Sequence, residues 1–347
     1  MVPEVGEELG PRFDRVDVIP VAFLGLVARG VVVRALELVA LADHICVLSL
    51  EEIELPRDHV AEAAAPKHAP RLALALALLI RTWNVFHGNT KPPGRRAYLE
   101  QMVRLAASDQ PDVLCLQELP AWAHVHLEGW SGMRAYADLA QPPRIGPLPI
   151  PAELGRKITA LNNGLLRSAV SGQSIAILIH PAAEVLDHDR LVLNSREFRE
   201  AQSRWLSLPL VARLAWPKER RVVQTVRARL VDGKTVLVAN LHATSYPADQ
   251  RLADAELLRA AVFVDGLAQQ GDIVVLAGDF NVPAARSATQ AELTSAEWGF
   301  SEPTAEGIDQ ILVRGASVEA LTRWPVDRRR VDGRVLSDHT PVEARVV

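Results

Sequence analysis

The chain has few cysteines, no excess of basic charge and no hydrophobic run long enough to cross a bilayer. Its 347 residues include only two cysteines, Cys46 and Cys115, which excludes a disulfide framework and a Cys-rich zinc site. A reducing, cytoplasmic location is the simplest expectation for so few thiols. The formal net charge is −4, and residues 71–347 carry 30 acidic and 32 basic side chains. Charge alone therefore does not indicate a nucleic-acid-binding protein.

Two common hydrolase signatures are also missing. The sequence contains no Gly-x-Ser-x-Gly motif, which disfavours a serine hydrolase of the α/β type. It contains no His-Glu-x-x-His motif either, which disfavours a zinc metalloprotease. A hydrolase built on this chain needs a different arrangement of side chains.

The first 70 residues differ from the rest in charge and pattern. They carry 12 acidic and 6 basic side chains, and their acidic start is unlike a secretory signal. Their longest uncharged run, 18–28, is far shorter than the roughly 20 residues that a membrane span needs. We predict one or two helices over 21–50, then an Ala- and Pro-containing linker. The chain is thus divided into an amino-terminal extension, residues 1–70, and a domain, residues 71–347; the oligomeric state is left open.

From residue 72 onward, predicted strands and helices alternate. Helical spacing of apolar residues predicts helices over 94–108 and 249–270. Residues 141–155 contain five prolines and are predicted to form a long loop. Short apolar runs predict strands over the following ranges: 76–86, 113–118, 174–179, 221–230, 236–241, 273–277, 308–313 and 342–346.

Polar side chains recur where these strands end. Adjacent strands of a sheet lie only ~5 Å apart, so residues distant in sequence can converge at one edge. We expect such convergence for eight residues: Asn84, Glu118, His242, Asp279, Asn281, Asp309, Asp338 and His339.

This set of side chains suits metal-assisted hydrolysis of a phosphate ester. Mg²⁺ and Mn²⁺ prefer oxygen ligands and offset negative charge on the phosphate and on the leaving oxygen. Glu118 and Asp338 suit the role of metal ligands, with Asn84 as a neutral oxygen ligand or as an orienting residue. The sequence therefore predicts Mg²⁺, or Mn²⁺, as the cofactor.

The same set also contains groups that handle a proton. His339 can accept the proton of an attacking water because imidazole titrates near neutrality, and Asp309 can hold its tautomer. His242 and Asn281 can donate hydrogen bonds to the charge that develops on phosphoryl oxygens.

Each residue alone has an ordinary explanation. Asn84, Asn240 and Asn281 are also typical turn residues, and the run 278–281 by itself is a plausible tight turn. The basic cluster 218–221 is interpreted as solvated surface, and the cluster 328–330 either as surface or as an anion-steering group. Their joint occurrence after apolar strands favours a functional site.

Six blocks of the sequence, in order, resemble the signature motifs of the endonuclease/exonuclease/phosphatase superfamily, over residues 75–347. They are Thr82-Trp83-Asn84, Leu116-Gln117-Glu118, Asn240-Leu241-His242, Gly278-Asp279-Phe280-Asn281, Ile308-Asp309-Gln310-Ile311 and Ser337-Asp338-His339.

The resemblance implies an α/β (α+β) fold, a four-layered αββα sandwich of two mixed β-sheets flanked by helices. It implies a metal site centred on Glu118, with Asn84 and Asp338 close by. Asp279 and Asn281 would orient the nucleophilic water and hold the phosphate, and Asp309 would work with His339 as a unit.

Further expectations concern the base and the substrate contacts. Either His339 or Asp279 serves as the general base. The histidine at the end of this strand, His242, resembles the pattern of the deoxyribonuclease, phosphatase and sphingomyelinase branches of the superfamily, which place a histidine there. Substrate binding is expected to involve four residues: Asn84, Asn240, Asn281 and His242.

The leading prediction is a metal-dependent phosphodiesterase or nuclease that acts on a phosphoester, with nucleic acid as one candidate substrate. The alternative enzyme is a phosphomonoesterase or lipid phosphodiesterase on the same scaffold. A third hypothesis is an inactive binding protein that kept the fold. Exposed aromatics beside the site would favour a nuclease; the candidates, Trp122, Trp130 and Trp324, have core packing as their ordinary explanation.

Overall fold

The structure, a computed structural model, describes residues 77–161, 170–304 and 306–347. The predictions for the amino-terminal extension, its helices, its linker and the boundary near residue 70 lie outside the described residues. No helix of the described part is both long and apolar enough to cross a membrane.

The described residues form sixteen strands and seven α-helices. The strands are β1 Leu78–Asn84, β2 Thr90–Lys91, β3 Val113–Leu119, β4 Arg134–Gln141, β5 Arg144–Ile145, β6 Leu148–Pro149, β7 Gln173–Ile179, β8 Glu184–Val192, β9 Val222–Arg229, β10 Thr235–His242, β11 Ile273–Asp279, β12 Asp309–Arg314, β13 Val318–Arg323, β14 Arg330–Val331, β15 Arg334–Leu336 and β16 Val342–Val346. The helices are α1 Leu99–Ala107, α2 Leu127–Ser131, α3 Ala152–Leu161, α4 Arg196–Trp205, α5 Leu210–Ala215, α6 Arg251–Leu267 and α7 Ala288–Leu293. Short 3-10 turns occupy Phe86–Gly88, Ala121–His126, Trp216–Lys218, Ala284–Arg286 and Val326–Arg329.

Two mixed sheets dominate the architecture. The first has six strands in the order β13-β16-β1-β3-β7-β4, and the second has five in the order β12-β11-β10-β9-β8. In each sheet one central pair is parallel, β1 with β3 and β10 with β11, and the other pairs are antiparallel. Two small sheets, β14-β15-β2 and β5-β6, lie outside this pair.

Three apolar cores separate four layers. Residues such as Ile80, Ile177 and Val275 form the core between the two sheets. Helix α1 covers the other face of the first sheet, and helix α6 covers the other face of the second. A helix of this kind buries one stripe against a sheet and leaves the opposite stripe to solvent. The four-layered sandwich of two mixed sheets is therefore confirmed.

The eight predicted strands are confirmed within two residues at each end, and 342–346 matches without a shift. Both predicted helices form but are shorter than expected: the first begins at Leu99 and the second ends at Leu267. Residues 95–98 are instead part of an irregular segment in which Tyr98 donates a backbone hydrogen bond to Gly88.

The long loop predicted for 141–155 is wrong in part. It contains the short β5–β6 pair, and helix α3 begins within it at Ala152. Pro151 precedes that first helical residue, and its carbonyl accepts a hydrogen bond from Gly155. Proline is compatible with a helix start because the first N–H groups have no partner within the helix.

Three strands of the two large sheets were not predicted, and all three are edge strands. Strands β4 and β8 each end one of the two large sheets, and β13 ends the first sheet at its other side. Strand β8 carries four charged side chains in nine residues and no residue of it is buried. Edge strands bury little and use charge to block further pairing, so they lack the apolar pattern of a central strand.

A cluster of charged side chains lies at strands β1 and β16 of the first sheet. Arg81 of β1 is fully buried and hydrogen-bonds to Asp109, at 2.7 Å, and to Glu343 of β16. Its guanidinium also lies 4.6 Å from the ring centre of Trp324. Burial opposes a charged Arg81, but the two carboxylates outweigh it and raise the pKa of Arg81. The same contact with Arg81 lowers the pKa of Asp109, against the opposing effect of burial.

We expect Glu343→Ala to lower the free energy of unfolding by about 3–5 kcal/mol, because it leaves a buried guanidinium with one partner fewer. The control, Glu100→Ala, removes an exposed i,i+4 pair with Arg104 and should cost less than about 0.5 kcal/mol. Urea unfolding measures both. Equal effects of the two variants would contradict this account.

The pKa of Asp109 is lowered by Arg81, so its contribution to the free energy of unfolding is present above its unfolded pKa of 3.8 and is lost as the pH falls below that value.

Candidate active site

The predicted site residues converge at one edge of the sandwich. His242 and Asp279 face each other at the ends of the parallel pair β10 and β11, and Asp279 pairs in turn with Asp309 at the start of β12. Asn84 ends β1 of the opposite sheet, next to Gln117 of β3. Strand pairing therefore brings His242, Asp279 and Asp309 together within one sheet, and the hydrogen bond from Asn84 to Asp279 joins them to the other sheet.

The backbone around this edge is unusual. Eight described non-glycine residues have positive φ, and five of them flank the site: Phe86, His87, Glu118, Asn281 and Ser337. Such conformations cost free energy and persist where the surrounding structure requires them. Their concentration here indicates that side-chain placement at this edge was favoured over an unstrained backbone.

Gly278 explains the close approach of β10 and β11 just before the site. Its φ is +138°, and a Cβ there would lie 2.0 Å from the carbonyl oxygen of Leu241. No side chain fits that space, so the Gly-Asp-Phe-Asn run needs glycine at its first position. The following residue, Asp279, is thereby held against the neighbouring strand.

Asn84 connects the two sheets at the site. Its side-chain nitrogen donates to Glu118 Oε1 at 3.1 Å and to Asp279 Oδ2 at 2.9 Å. Its side-chain oxygen accepts from the backbone of Phe86 at 3.0 Å. With the nitrogen turned towards both carboxylates, Asn84 is an orienting donor in this structure.

Asp279 and Asn281 form the tip of the turn. The backbone N–H of Asn281 donates to Asp279 Oδ1 at 3.0 Å, and the Asn281 amide donates to the carbonyl of Ala243 at 2.9 Å. Asp279 is 1% exposed. Burial raises the pKa of Asp279 to about 7, although the charge of His339 acts in the opposite direction.

Asp309 and His339 form the predicted pair. His339 Nδ1 donates to Asp309 Oδ1 at 2.9 Å, which leaves Nε2 directed at the site, 3.7 Å from Asp279 Oδ2. Burial disfavours a charged imidazole, but the hydrogen bond to Asp309 and the charges of Asp279 and Asp309 together raise the pKa of His339 to about 10. The two carboxylates therefore favour the charged form of the imidazole.

His242 is paired with a cation that sequence reasoning assigned to solvated surface. Arg221 is 4% exposed, and its Nη1 donates to His242 Nδ1 at 3.0 Å. Burial, and then the charge of Arg221, lowers the pKa of His242 well below its ordinary 6.5. Arg221 Nη1 lies closer to Nδ1 than to Nε2, which is 3.4 Å away, so we assign Nδ1 as the acceptor and the ring proton to Nε2, 3.5 Å from Asp279 Oδ2.

Arg221 and His87 are the neighbours of the site that the sequence did not point to. Strand pairing places Val223 opposite Leu241, so an arginine just before β9 lies beside the end of β10. That register is the signal that could have found Arg221. His87 follows Asn84 by three residues, and its Nε2 lies 3.8 Å from Glu118 Oε2.

Asn240 lies deeper than the residues above. Its amide donates to the carbonyls of Leu116 and Ala176 at 3.0 and 2.9 Å, and its oxygen accepts from Gln117 at 2.7 Å. It is fully buried. These contacts join the second sheet to the first. They use the side-chain N–H groups of Asn240, so the amide has no free donor for the substrate-binding role predicted from the sequence.

The loop that carries Asp338 and His339 is held by Arg329 and Ser337. Arg329 is buried and donates to the carbonyl of His339 at 2.8 Å, while Ser337 Oγ donates to the carbonyl of Asn84 at 2.7 Å. Within the cluster 328–330, Arg329 is therefore a structural cation. Trp324, considered above as an exposed aromatic, is 4% exposed and packs in the core.

The residues present fit a hard divalent cation near Glu118 and Asp338. Asp338 Oδ1 is buried and accepts no hydrogen bond from any described residue. Burial raises the pKa of Glu118, and the charge of Asp338 acts in the same direction. Two partly buried carboxylates that repel one another, one of them with an unbonded buried oxygen, are stabilised by a bound cation.

A second group of potential ligands is Asp279, Asp309 and His339, whose ligand atoms all lie within 4.8 Å of one another. In that group both oxygens of Asp309 already face His339 Nδ1, at 2.9 and 3.0 Å. A ring nitrogen hydrogen-bonded in this way suits proton transfer better than it suits a ligand for Mg²⁺, which prefers oxygen. We therefore favour the Glu118 and Asp338 side for the metal.

The four-layered sandwich with polar side chains at one edge is a fold of hydrolytic enzymes. Comparison with family models places the chain: the model of the Endonuclease/Exonuclease/phosphatase family matches residues 82–339. The chain belongs to this family. No curated protein matches it.

Solved structures show the same fold at low sequence identity. The endonuclease/exonuclease/phosphatase from Beutenbergia cavernae aligns with a TM-score of 0.53 and 15% identity, over 78% of this chain and 71% of that one. The endonuclease/exonuclease/phosphatase from Bacteroides vulgatus gives 0.53 and 14%, over 78% and 98%. The human Nocturnin catalytic domain, solved with a bound sulfate anion, gives 0.50 and 15%, over 78% and 94%.

We expect Asn240→Ala to act on stability rather than on substrate affinity. Removing its amide takes one hydrogen bond from each of two buried carbonyls and one from the Gln117 amide, at a cost of about 1–3 kcal/mol. Urea unfolding and KM for a phosphodiester are to be measured together. A raised KM with unchanged stability would instead support the substrate-binding role predicted from the sequence.

Proposed function

We propose that this chain is a divalent-metal-dependent phosphodiesterase, with nucleic acid among its candidate substrates. The observation that carries the proposal is the Asp309–His339 hydrogen bond beside buried Asp279, next to the Asn84–Glu118 contact from the opposite sheet. Family membership supports metal-dependent phosphoester hydrolysis in general. The preference for a diester is our inference from the sequence motifs.

The proton-handling side of the site is Asp279 with the Asp309–His339 pair. Attack on phosphorus needs a water that is held in line with the leaving group and an acceptor for its proton. Asp279 Oδ2 and His339 Nε2 lie 3.7 Å apart. A water between Asp279 and the substrate can pass its proton to the Asp279 carboxylate, which lies beside the imidazolium of His339 that Asp309 stabilises.

The phosphate-binding side is formed by His242 and Arg221, together with Asn281. His242 offers the Nε2–H described above, and Arg221 places a buried positive charge behind it. Donors that are already oriented stabilise charge on phosphoryl oxygens without reorganising during the reaction. We therefore assign phosphate binding to these three residues.

Glu118 and Asp338 would hold the metal, and Asn84 would orient Glu118. A bound Mg²⁺ or Mn²⁺ supplies Lewis-acid stabilisation of the negative charge on the phosphoryl group and the leaving oxygen. Because every motif position retains a functional side chain, we favour the enzyme over an inactive binding protein. The cytoplasmic location stays a prediction.

The metal requirement is tested with bis-p-nitrophenyl phosphate and plasmid DNA. We expect turnover with Mg²⁺ or Mn²⁺, loss of turnover in EDTA, and recovery when metal is added back. Glu118→Gln should weaken the apparent metal affinity by at least about tenfold. It should also reduce the Mn²⁺-dependent rise in thermal stability, a readout independent of turnover. Undiminished hydrolysis in EDTA would rule out the proposed chemistry.

The role of the His339 pair is tested with a matched histidine. His339→Ala should lower kcat by about two orders of magnitude or more, because it removes a group of the proton-handling unit. The control is His188→Ala, since His188 Nε2 also hydrogen-bonds a carboxylate, Asp138 Oδ2, at 3.0 Å but lies away from the site. The two variants should differ in kcat while both keep a native circular dichroism spectrum. Full activity of His339→Ala would refute the assignment.

A further inference from the structure

An exposed apolar surface lies on the segment that connects β8 to β9. It consists of Trp205 at the end of α4 and Leu210, Val211 and Leu214 of α5, and we name it the Trp205 surface. Trp205 is 79% exposed, and the three aliphatic side chains are each 65–67% exposed. Four large apolar side chains this exposed within ten residues mark an interaction site more often than they mark ordinary surface.

The local backbone explains why these side chains stay outside. Ser207, with a φ of 49°, turns the chain sharply between α4 and α5, and Leu208 caps the turn by donating to the carbonyl of Ser203. Helix α5 buries its other face through Ala212, and Trp216 packs beneath it. The apolar core under α5 is therefore filled, and the Trp205 surface has no described partner.

Unpaired cations surround the same surface. Residues 196–221 carry seven basic and three acidic side chains, a net charge of +4 within a chain of net charge −4. Two of the basic side chains are paired, Arg196 with Glu200 and Arg221 with Glu219. Four exposed cations form no ion pair among the described residues: Arg204, Arg213, Lys218 and Arg220.

We propose that the Trp205 surface docks this protein on an anionic membrane surface. An interfacial site of this kind combines Trp and aliphatic side chains, which enter the headgroup boundary, with cations that meet anionic headgroups. The three aliphatic side chains distinguish it from a nucleic-acid surface, where stacking aromatics accompany the cations. The four unpaired cations distinguish it from an apolar interface between two copies of the chain, where like charges would repel.

A buried path joins this surface to the catalytic edge. Trp216, directly after α5, donates through Nε1 to Glu256 at 2.6 Å, and Glu256 accepts from the backbone of Thr244 at 2.7 Å. Thr244 follows His242 by two residues, and Arg221 belongs to the same segment between β8 and β9 as the Trp205 surface. Docking at the Trp205 surface would therefore hold the site at a fixed position relative to the membrane.

The test is co-sedimentation of the full chain with phosphatidylcholine vesicles, with and without phosphatidylserine. We expect binding to the vesicles that contain phosphatidylserine and weak binding to the others. Leu210→Gln with Leu214→Gln, and separately Arg204→Glu with Arg213→Glu, should each weaken binding by at least about tenfold. All of these residues are exposed, so circular dichroism and hydrolysis of bis-p-nitrophenyl phosphate should be unchanged.

Matched controls lie elsewhere on the surface. Val231→Gln with Val262→Gln replaces two exposed apolar residues, and Arg95→Glu with Lys157→Glu reverses two exposed charges. Both should bind vesicles as the parent does. The readout does not depend on turnover, so an inactive but vesicle-binding protein would contradict the proposed function and leave docking standing.

Three results would overturn the docking proposal. The first is an absence of binding to both kinds of vesicle, or equal binding by the parent and the docking variants. The second is that the parent does not bind vesicles and that Leu210→Gln with Leu214→Gln changes the mass measured by light scattering. That result would assign the surface to a second copy of the chain. The third is binding of single-stranded DNA, but not vesicles, that is lost in Arg204→Glu with Arg213→Glu.

Discussion

Asp279 is a carboxylate that is fully buried at the junction of the two sheets, where an ionisable group is costly in free energy. The groups around it stabilise it there. Asn84 reaches it from the opposite sheet, the backbone of Asn281 bonds its other oxygen, and the imidazole of His339 lies beside it. Burial of an ionisable group without such partners would shift it to the neutral form or destabilise the fold. The two sheets therefore have to meet at this edge with the strand ends in register.

The inner face of the sandwich divides into two parts with different physical roles. Away from the site it is an apolar core that includes Ile80, Val226 and Val275. Towards the site the apolar residues give way to hydrogen-bonded polar ones, among them Gln117 and Asn240, which connect the sheets directly. Directional bonds of this type specify one register more strongly than apolar packing does, because a shift by one residue leaves buried polar groups unpaired.

The second ring of residues controls charge at this edge. Burial and then the charge of Arg221 lower the pKa of His242, Asp309 raises that of His339, and burial raises the pKa of both Glu118 and Asp279. Opposite shifts in neighbouring groups are typical of sites that transfer protons and bind ions. Arg329 and Ser337 add no chemistry of their own but hold the Asp338–His339 loop against β1.

The central strands and the polar residues at their ends were predictable because a buried strand leaves a clear apolar run that stops at its functional tip. The sandwich was implied by the resemblance of six sequence blocks to the motifs of the superfamily. Exposed edge strands such as β8 were not predictable, since charged side chains there serve to prevent pairing rather than to fill a core. Helix α3 was hidden by the proline-rich stretch before it.

By itself, then, the sequence determined which strands are buried and which polar residues stand at their ends, because hydrophobic periodicity and turn residues are local properties. Only the tertiary structure decided what those residues contact. Arg221 belongs to a sequence cluster that reads as surface, yet antiparallel pairing of β9 with β10 places it on His242. Asn240 sits within a functional motif, yet the packing of one sheet on the other uses its amide to join them. Contacts across sheets depend on register and packing, which no local pattern of residues encodes.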